Sequence, residues 1–125
     1  MKLGLFRCAA ILAFPFFGIS LAWADGDVVH GQVVFAKCAL CHNVTAQAKI
    51  GPGLAGVVGR KAGAVPGFNY SPALVAFGKT WDEQTLDKWL EDPEKLIPNN
   101  DMATRVPDAT DRANIIAYLK SLSAQ

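Results

Sequence analysis

Between Asn43 and Ser71 the chain carries six of its eleven glycines together with Pro52 and Pro66, and it lacks helical periodicity throughout. A connection this long without secondary structure of its own is uncommon inside a compact domain. The stretch reads as a long loop region whose backbone is punctuated by turn-forming residues. It becomes intelligible if it wraps a ligand instead of packing on itself. A small domain also struggles to bury enough apolar surface to offset chain entropy. A large embedded group would supply that surface.

The 125 residues allow one domain. Residues 1–24 read as separate from it. Lys2 and Arg7 form a basic start, an apolar run follows from Cys8 to Leu21 with Pro15 inside it, and Ala22-Trp23-Ala24 precedes the polar Asp25-Gly26-Asp27. This is the layout of a cleaved secretory signal. A retained anchor is the rival reading, but a spanning helix needs about 20 predominantly apolar residues, and this run is shorter and broken by proline. Cys8 reads as a small apolar residue of the signal. The expected mature domain is therefore residues 25–125, exported to the periplasm. Losing Lys2 and Arg7 leaves ten basic against eleven acidic residues, a net charge near −1. That balance argues against nucleic-acid binding, which usually needs a basic face.

The remaining pattern is all-α, with three main helices and long ordered loops. Asp27 can cap a helix from Val28 to about Lys37, with Val28, Gly31 and Phe35 near one face. Thr80-Trp81-Asp82-Glu83 reads as a capping box before Leu86, Trp89 and Leu90 at helical spacing. Asp92-Pro93 is expected to end that helix, with a short helical turn from Glu94 to Ile97. A second loop runs from Asn99 to Pro107. Asp108 or Thr110 can cap the last helix, whose stripe is Ile115, Leu119 and Leu122.

Export removes Cys8 and leaves two cysteines in Cys38-Ala39-Leu40-Cys41-His42. An exported pair ordinarily suggests a disulfide, but the adjacent histidine points to covalent haem attachment, for which C-x-x-C-H is the pattern. Two thiols at this spacing can reach the two vinyl groups on one porphyrin edge, and His42 can then place a ring nitrogen on the iron from the same side. A structural zinc site normally needs four protein ligands, and beyond this motif the mature chain offers only His30 or a carboxylate. A disulfide would leave His42 without a role. The single mature methionine, Met102, lies between Pro98 and Pro107 beside the polar Asn99, Asn100 and Asp101. Methionine also fills gaps in cores, but those polar neighbours are odd for a plain core element. Met102 is expected to be the second axial ligand of the iron.

The mature chain resembles the class I cytochromes c, especially the mitochondrial type and its close bacterial relatives. The resemblance spans nearly all of residues 25–125. It rests on Gly31…Phe35…Cys38-x-x-Cys41-His42, on Gly51-Pro52-x-Leu54-x-Gly56-x-x-Gly59-Arg60-Lys61-x-Gly63, and on Gly67-Phe68-Asn69-Tyr70-Ser71. It continues through Thr80-Trp81, Pro93…Ile97-Pro98, Met102 and Arg112…Ile115-Ile116-Ala117-Tyr118-Leu119. It implies three main helices plus long loops wrapped around one covalently bound haem c. It also implies that the Pro52 carbonyl accepts a hydrogen bond from His42, a bond that fixes the tautomer. Tyr70 and Trp81 would donate to a buried haem propionate, and Arg60 would offset its charge. Gly31 and Phe35 would meet Ile115 and Tyr118 where the first and last helices cross. Departures are clear. Trp89 stands where the family usually has Tyr beside the ligand sulfur, Leu74 replaces a common Asn, Ala103-Thr104 follows Met102 in place of an aromatic, and the loop from Asn43 to Ile50 is short.

The expected function is that of a soluble, monomeric, single-haem electron carrier, not an enzyme. It would exchange one electron at a time with donor and acceptor redox proteins, either membrane complexes or periplasmic oxidoreductases, without a small-molecule substrate. Two alternatives stay open at this point. One is a haem ligand-binding or peroxidase-like protein with a labile Met102. The other is a redox subunit bound to one larger enzyme. Lys37, Lys61 and Lys95 match the lysine ring of the mitochondrial type, whereas Glu94 and Asp101 oppose it. Long-range charge steering is therefore expected to be weak. If the loops have little besides haem to pack on, the double substitution Cys38→Ala/Cys41→Ala leaves the haem-free chain largely unfolded. Far-ultraviolet circular dichroism checks this, and a cooperative native-like melt would reject haem as the core.

Overall fold

A computed structural model describes residues 25–122; the expected leader, residues 1–24, lies outside the described residues. Five α-helices follow one another: α1 (Val28–Val34), α2 (Pro72–Phe77), α3 (Glu83–Glu91), α4 (Pro93–Leu96) and α5 (Ala109–Leu122). Among the described residues the only β pairing is an isolated bridge between Lys61 and Thr80. The all-α expectation therefore holds, with α1, α3 and α5 as the main helices and two short ones added.

Asp27 caps α1 as expected, its Oδ1 accepting from the His30 N–H at 2.8 Å. The helix then tightens into a 3-10 turn, Phe35–Lys37, earlier than a helix running to Lys37 would. The Phe35 carbonyl accepts from Cys38 and Ala39, and the Cys38 carbonyl accepts from His42 at 2.9 Å. The Cys38–His42 segment is thus a hydrogen-bonded continuation of α1, and its position follows from where α1 sits.

That position is set by α5. Gly31 is buried, and a Cβ on it would lie 2.0 Å from the Asn114 carbonyl oxygen. Only a glycine lets the two backbones approach this closely. The buried Asn114 side chain accepts from the Asp27 N–H at 2.7 Å, and Phe35 meets Tyr118 edge-on at 5.3 Å between ring centroids. Along α5 Ile115, Ile116 and Leu119 are buried, joined in the core by Leu86, Trp89 and Leu90 of α3. Of the two candidate caps, Asp108 does the work, its Oδ1 accepting from Asp111 N–H at 2.9 Å.

Two local expectations change. No helix was expected at Pro72–Phe77, but Ser71 Oγ accepts from Leu74 N–H at 3.3 Å, Pro72 occupies the first turn, and Gly78 ends the helix with φ 54°. Six residues are too few to show a period, so only these end signals could have revealed α2. Thr80 does not cap α3. Ala62 N–H donates to the Lys79 carbonyl at 2.8 Å, and Trp81 N–H donates to the Arg60 carbonyl at 2.9 Å. This pairing keeps Thr80 and Trp81 out of the helix, so Asp82 becomes the cap and accepts from Thr85 N–H at 2.7 Å. Asp92-Pro93 ends α3 as expected, and Asp92 in turn caps α4.

Arg112, only 7% exposed, ties α5 to α3 and to the chain entering α5. Its Nε donates to Asp87 Oδ1 at 2.7 Å, and Nη1 donates to the carbonyls of Val106 at 3.1 Å and Pro107 at 2.7 Å. A buried charge is tolerated when it is paired and hydrogen-bonded in this way.

Gly31→Ala puts a methyl group onto backbone that cannot swing aside. Overpacking of this kind removes about 1–3 kcal/mol, against roughly 1 kcal/mol of helix propensity gained. A net loss is expected as a lower denaturant midpoint, whereas an unchanged midpoint would show that the two helices separate freely.

Candidate functional site

A cavity of about 390 Å³ opens between the Cys38–His42 turn, the long loop, α2, α3 and the segment before α5. All nine residues singled out from the sequence line it: Cys38, Cys41, His42, Pro52, Arg60, Tyr70, Trp81, Trp89 and Met102. Leu74, Ala103 and Thr104, the positions that depart from the family pattern, line it too. The core residues Phe35, Leu86, Leu90, Ile115 and Leu119 form much of the remaining wall.

His42 is held from two sides. Its Nδ1 lies 2.9 Å from the Pro52 carbonyl oxygen. A carbonyl can only accept, so the proton belongs on Nδ1, and Nε2 keeps a free lone pair suited to a metal. Gly51 packs against the ring; a Cβ there would lie 2.3 Å from Cε1 and 2.6 Å from Nδ1. The Gly51 N–H donates to the Cys41 carbonyl at 2.7 Å, closing the loop back onto the motif. The sequence reading assigned Pro52 this role and gave Gly51 none.

Cys38 and Cys41 are not bonded to each other, so the disulfide alternative is not what the fold forms. Burial pushes the Cys38 pKa up, the Lys37 charge pulls it down in part, and Cys41 adds a further upward push. A thioether carries no titratable proton, so covalent capture would remove that desolvation problem. The zinc alternative also lacks its next ligand. His30 stands on the exposed face of α1 with Nε2 3.9 Å from Asp111 Oδ1, and no cluster of three or more His, Cys, Asp or Glu suited to a metal occurs among the described residues.

Polar side chains interrupt the apolar wall, Arg60 among them. Arg60 donates to the carbonyls of Gly53 at 3.0 Å and Ala55 at 3.2 Å, and the ion pairs among the described residues do not include it. Burial lowers its pKa, with Tyr70 opposing the shift. A half-buried guanidinium without a counter-charge suits an anionic substituent on whatever fills the cavity. Trp81 and Trp89 are buried and face each other at 5.3 Å between ring centroids, with Phe77 5.8 Å from Trp81. Two thiols, an imidazole with a free nitrogen, a thioether, a guanidinium without a counter-charge and largely apolar walls together match a haem with its propionates.

Met102 is half-buried, and its N–H donates to Asn100 Oδ1 at 2.7 Å. The sequence reading noted Asn100 only as an oddly polar neighbour. It gave no role to Arg112 or Asp87, which anchor the far end of the same loop. Arg112 was detectable, because Arg112, Ile115, Leu119 and Leu122 fall on one helical stripe, where a charge demands a partner. Asp87 carried no comparable signal.

The family described as cytochrome c matches residues 28–123. Cytochrome c2 of Rhodomicrobium vannielii is 47% identical over 107 residues, covering 83% of this chain and 86% of that protein. Cytochrome c of Gibberella zeae is 44% identical over 101 residues, covering 78% and 95% respectively. Among solved structures, cytochrome cH from Methylobacterium extorquens aligns with a TM-score of 0.74 and 43% identity, covering 77% of this chain and 99% of that one.

Gly51→Ala would force the His42 ring off the Pro52 carbonyl or push the loop away. The expected outcome is a lower yield of haem-loaded protein and a loss of about 1–3 kcal/mol in its stability. Visible spectra and thermal melts check this; wild-type values would mean that the ring pocket yields without consequence.

Proposed function

This chain belongs to the cytochrome c family, and we propose that it is an exported, soluble carrier whose iron is held between His42 and Met102. It carries one covalently attached haem c and acts as an electron carrier, not an enzyme. When bound, the haem supplies an iron that changes its charge by one electron. In this reading residues 1–24 are a signal removed on export to the periplasm, and residues 25–125 are the working domain. Among the described residues no helix is long and apolar enough to cross a membrane.

The single observation that carries the ligand assignment is the pairing of Nδ1 of His42 with the Pro52 carbonyl on a cavity wall shared with Met102. Cys38 and Cys41 tether the haem edge from the turn that continues α1. The Pro52 carbonyl holds His42 in one tautomer with Nε2 turned to the iron side. The Met102 thioether favours the reduced state and raises the potential. Arg60, Tyr70 and Trp81 offset and hydrogen-bond the propionates. Trp89 presents an indole that can donate but not accept, so hydrogen bonding near the ligand sulfur differs from that of a Tyr-bearing relative. His42 and Met102 would hold a bound iron from positions fixed by the fold, so little of the chain would rearrange when its charge changed.

The partners are donor and acceptor redox proteins, met by a monomer. Leu40 is 70% and Ile50 75% exposed beside the haem-attachment turn, and Lys49 is drawn to the Ala39 carbonyl at 2.9 Å. Apolar contact therefore contributes more to docking than it would with a full lysine ring.

Met102→Ala is expected to open the iron: the reduced protein then binds carbon monoxide readily and the reduction potential falls. Equal carbon monoxide binding by wild type and variant would show that Met102 is not a stable ligand.

A further inference from the structure

Met102 lies on a segment without helix between α4 and α5, so something other than a helical ladder must orient its side chain. The segment is anchored at both ends. At the far end Val106 N–H donates to the Leu90 carbonyl at 2.7 Å, and Arg112 holds the carbonyls of Val106 and Pro107. At the near end the chain turns through Asn99, whose φ is 63°, a conformation that Asn tolerates better than most residues. The next side chain then bridges two parts of the backbone. Asn100 Oδ1 accepts from Met102 N–H at 2.7 Å, while Nδ2 donates to the Ile97 carbonyl at 2.9 Å. Ile97 is 3% exposed, and its N–H donates to the Pro93 carbonyl of α4 at 2.9 Å. Between Met102 and Val106 the remaining side-chain tie is the Arg105–Asp92 ion pair, which is solvent-exposed and so contributes little.

We infer that Asn100 is a positioning residue for Met102: its amide clips the methionine backbone to the end of α4 and thereby sets how firmly the thioether holds the iron. This rests on the reading of Met102 as a ligand. A primary amide suits the task because one group both accepts and donates. A backbone free to rotate would have to be ordered each time the thioether bound, and that ordering would be lost from the strength of the bond. The arrangement also explains the polar residues ahead of Met102. Asn100 among them ties the loop to the end of α4.

The test uses the oxidised, haem-loaded protein and imidazole, which competes with Met102 for the iron. Asn100→Ala is expected to raise imidazole affinity about two- to tenfold, the equilibrium equivalent of one net hydrogen bond. It should also weaken the far-red absorption of the sulfur–iron bond. Asn100→Asp keeps the oxygen that accepts from Met102 N–H. Glu94 Oε2 lies 3.4 Å from Asn100 Nδ2, so both variants are compared in a Glu94→Gln background, where the new carboxylate meets no charge at position 94. There the Asp variant keeps the tie to Met102 N–H but loses the Nδ2 donor to the Ile97 carbonyl, so its imidazole affinity and far-red band are expected to stay looser than those of the unsubstituted protein. Met102→Ala serves as the limit and is expected to exceed both. If Met102→Ala binds imidazole no better than wild type, the ligand reading itself falls. If it binds better but Asn100→Ala matches wild type, or Asn100→Asp is as tight as the unsubstituted protein, the clip is overturned while the ligand reading stands.

Discussion

The contact between the α1 and α5 backbones at Gly31 and Asn114 is the joint from which the rest of the site is measured. It fixes α1, and α1 runs without interruption into the turn that carries Cys38, Cys41 and His42. From α5 the same joint fixes Arg112, which holds α3 through Asp87 and the Met102 loop through Val106 and Pro107. The two groups proposed to hold the iron are thus attached to the two members of one helix pair. A shift at the crossing would move one relative to the other. The restriction is steric: any side chain at Gly31 collides with backbone.

Shielded polar groups meet different partners away from the cavity and on its wall. Arg112 and Asn114 lie away from its lining and find their partners within the protein, so they act as internal ties. Arg60 lines the cavity and finds only carbonyl oxygens, which stabilise a cation without neutralising it. That imbalance lies on the cavity wall, where a haem propionate would resolve it, which is the physical sense in which haem completes this domain.

An electron carrier works best when changing the iron's charge displaces few atoms. The architecture serves this by using short, redundant restraints on irregular chain. His42 is bracketed by Gly51 and Pro52, and Met102 is held by Asn100 on one side and by the Arg112 tie on the other. Long glycine-rich loops would otherwise be the most mobile part of so small a protein. Here they are tied by hydrogen bonds that return to the motif, such as that from Gly51 N–H to the Cys41 carbonyl.

Much of this was legible in the chain. The grouping of Cys38, Cys41 and His42 in one turn, the all-α class, the caps at Asp27 and Asp108, and the helix end at Asp92-Pro93 all rest on local chemistry: residues acting on backbone and on one another a few positions apart. Of the nine cavity residues, Cys38, Cys41, His42 and Met102 were legible from motif and composition, whereas Pro52, Arg60, Tyr70, Trp81 and Trp89 came from the resemblance to the family. What remained hidden was non-local or too short to carry a period. The pairing of Lys79–Trp81 with Arg60–Ala62 moved the cap of α3 from Thr80 to Asp82, and a capping box cannot register a distant strand-like partner. Six residues of α2 leave no periodic trace. Asp87 gains its meaning from Arg112, 25 positions away, and Asn100 from the proximity of the α4 end to Met102. The sequence by itself determined which groups can bind haem and which faces are apolar, because those are properties of residue type and spacing. Only the tertiary structure decided which polar side chain closes on which backbone, because a hydrogen bond depends on distances set when separate segments meet.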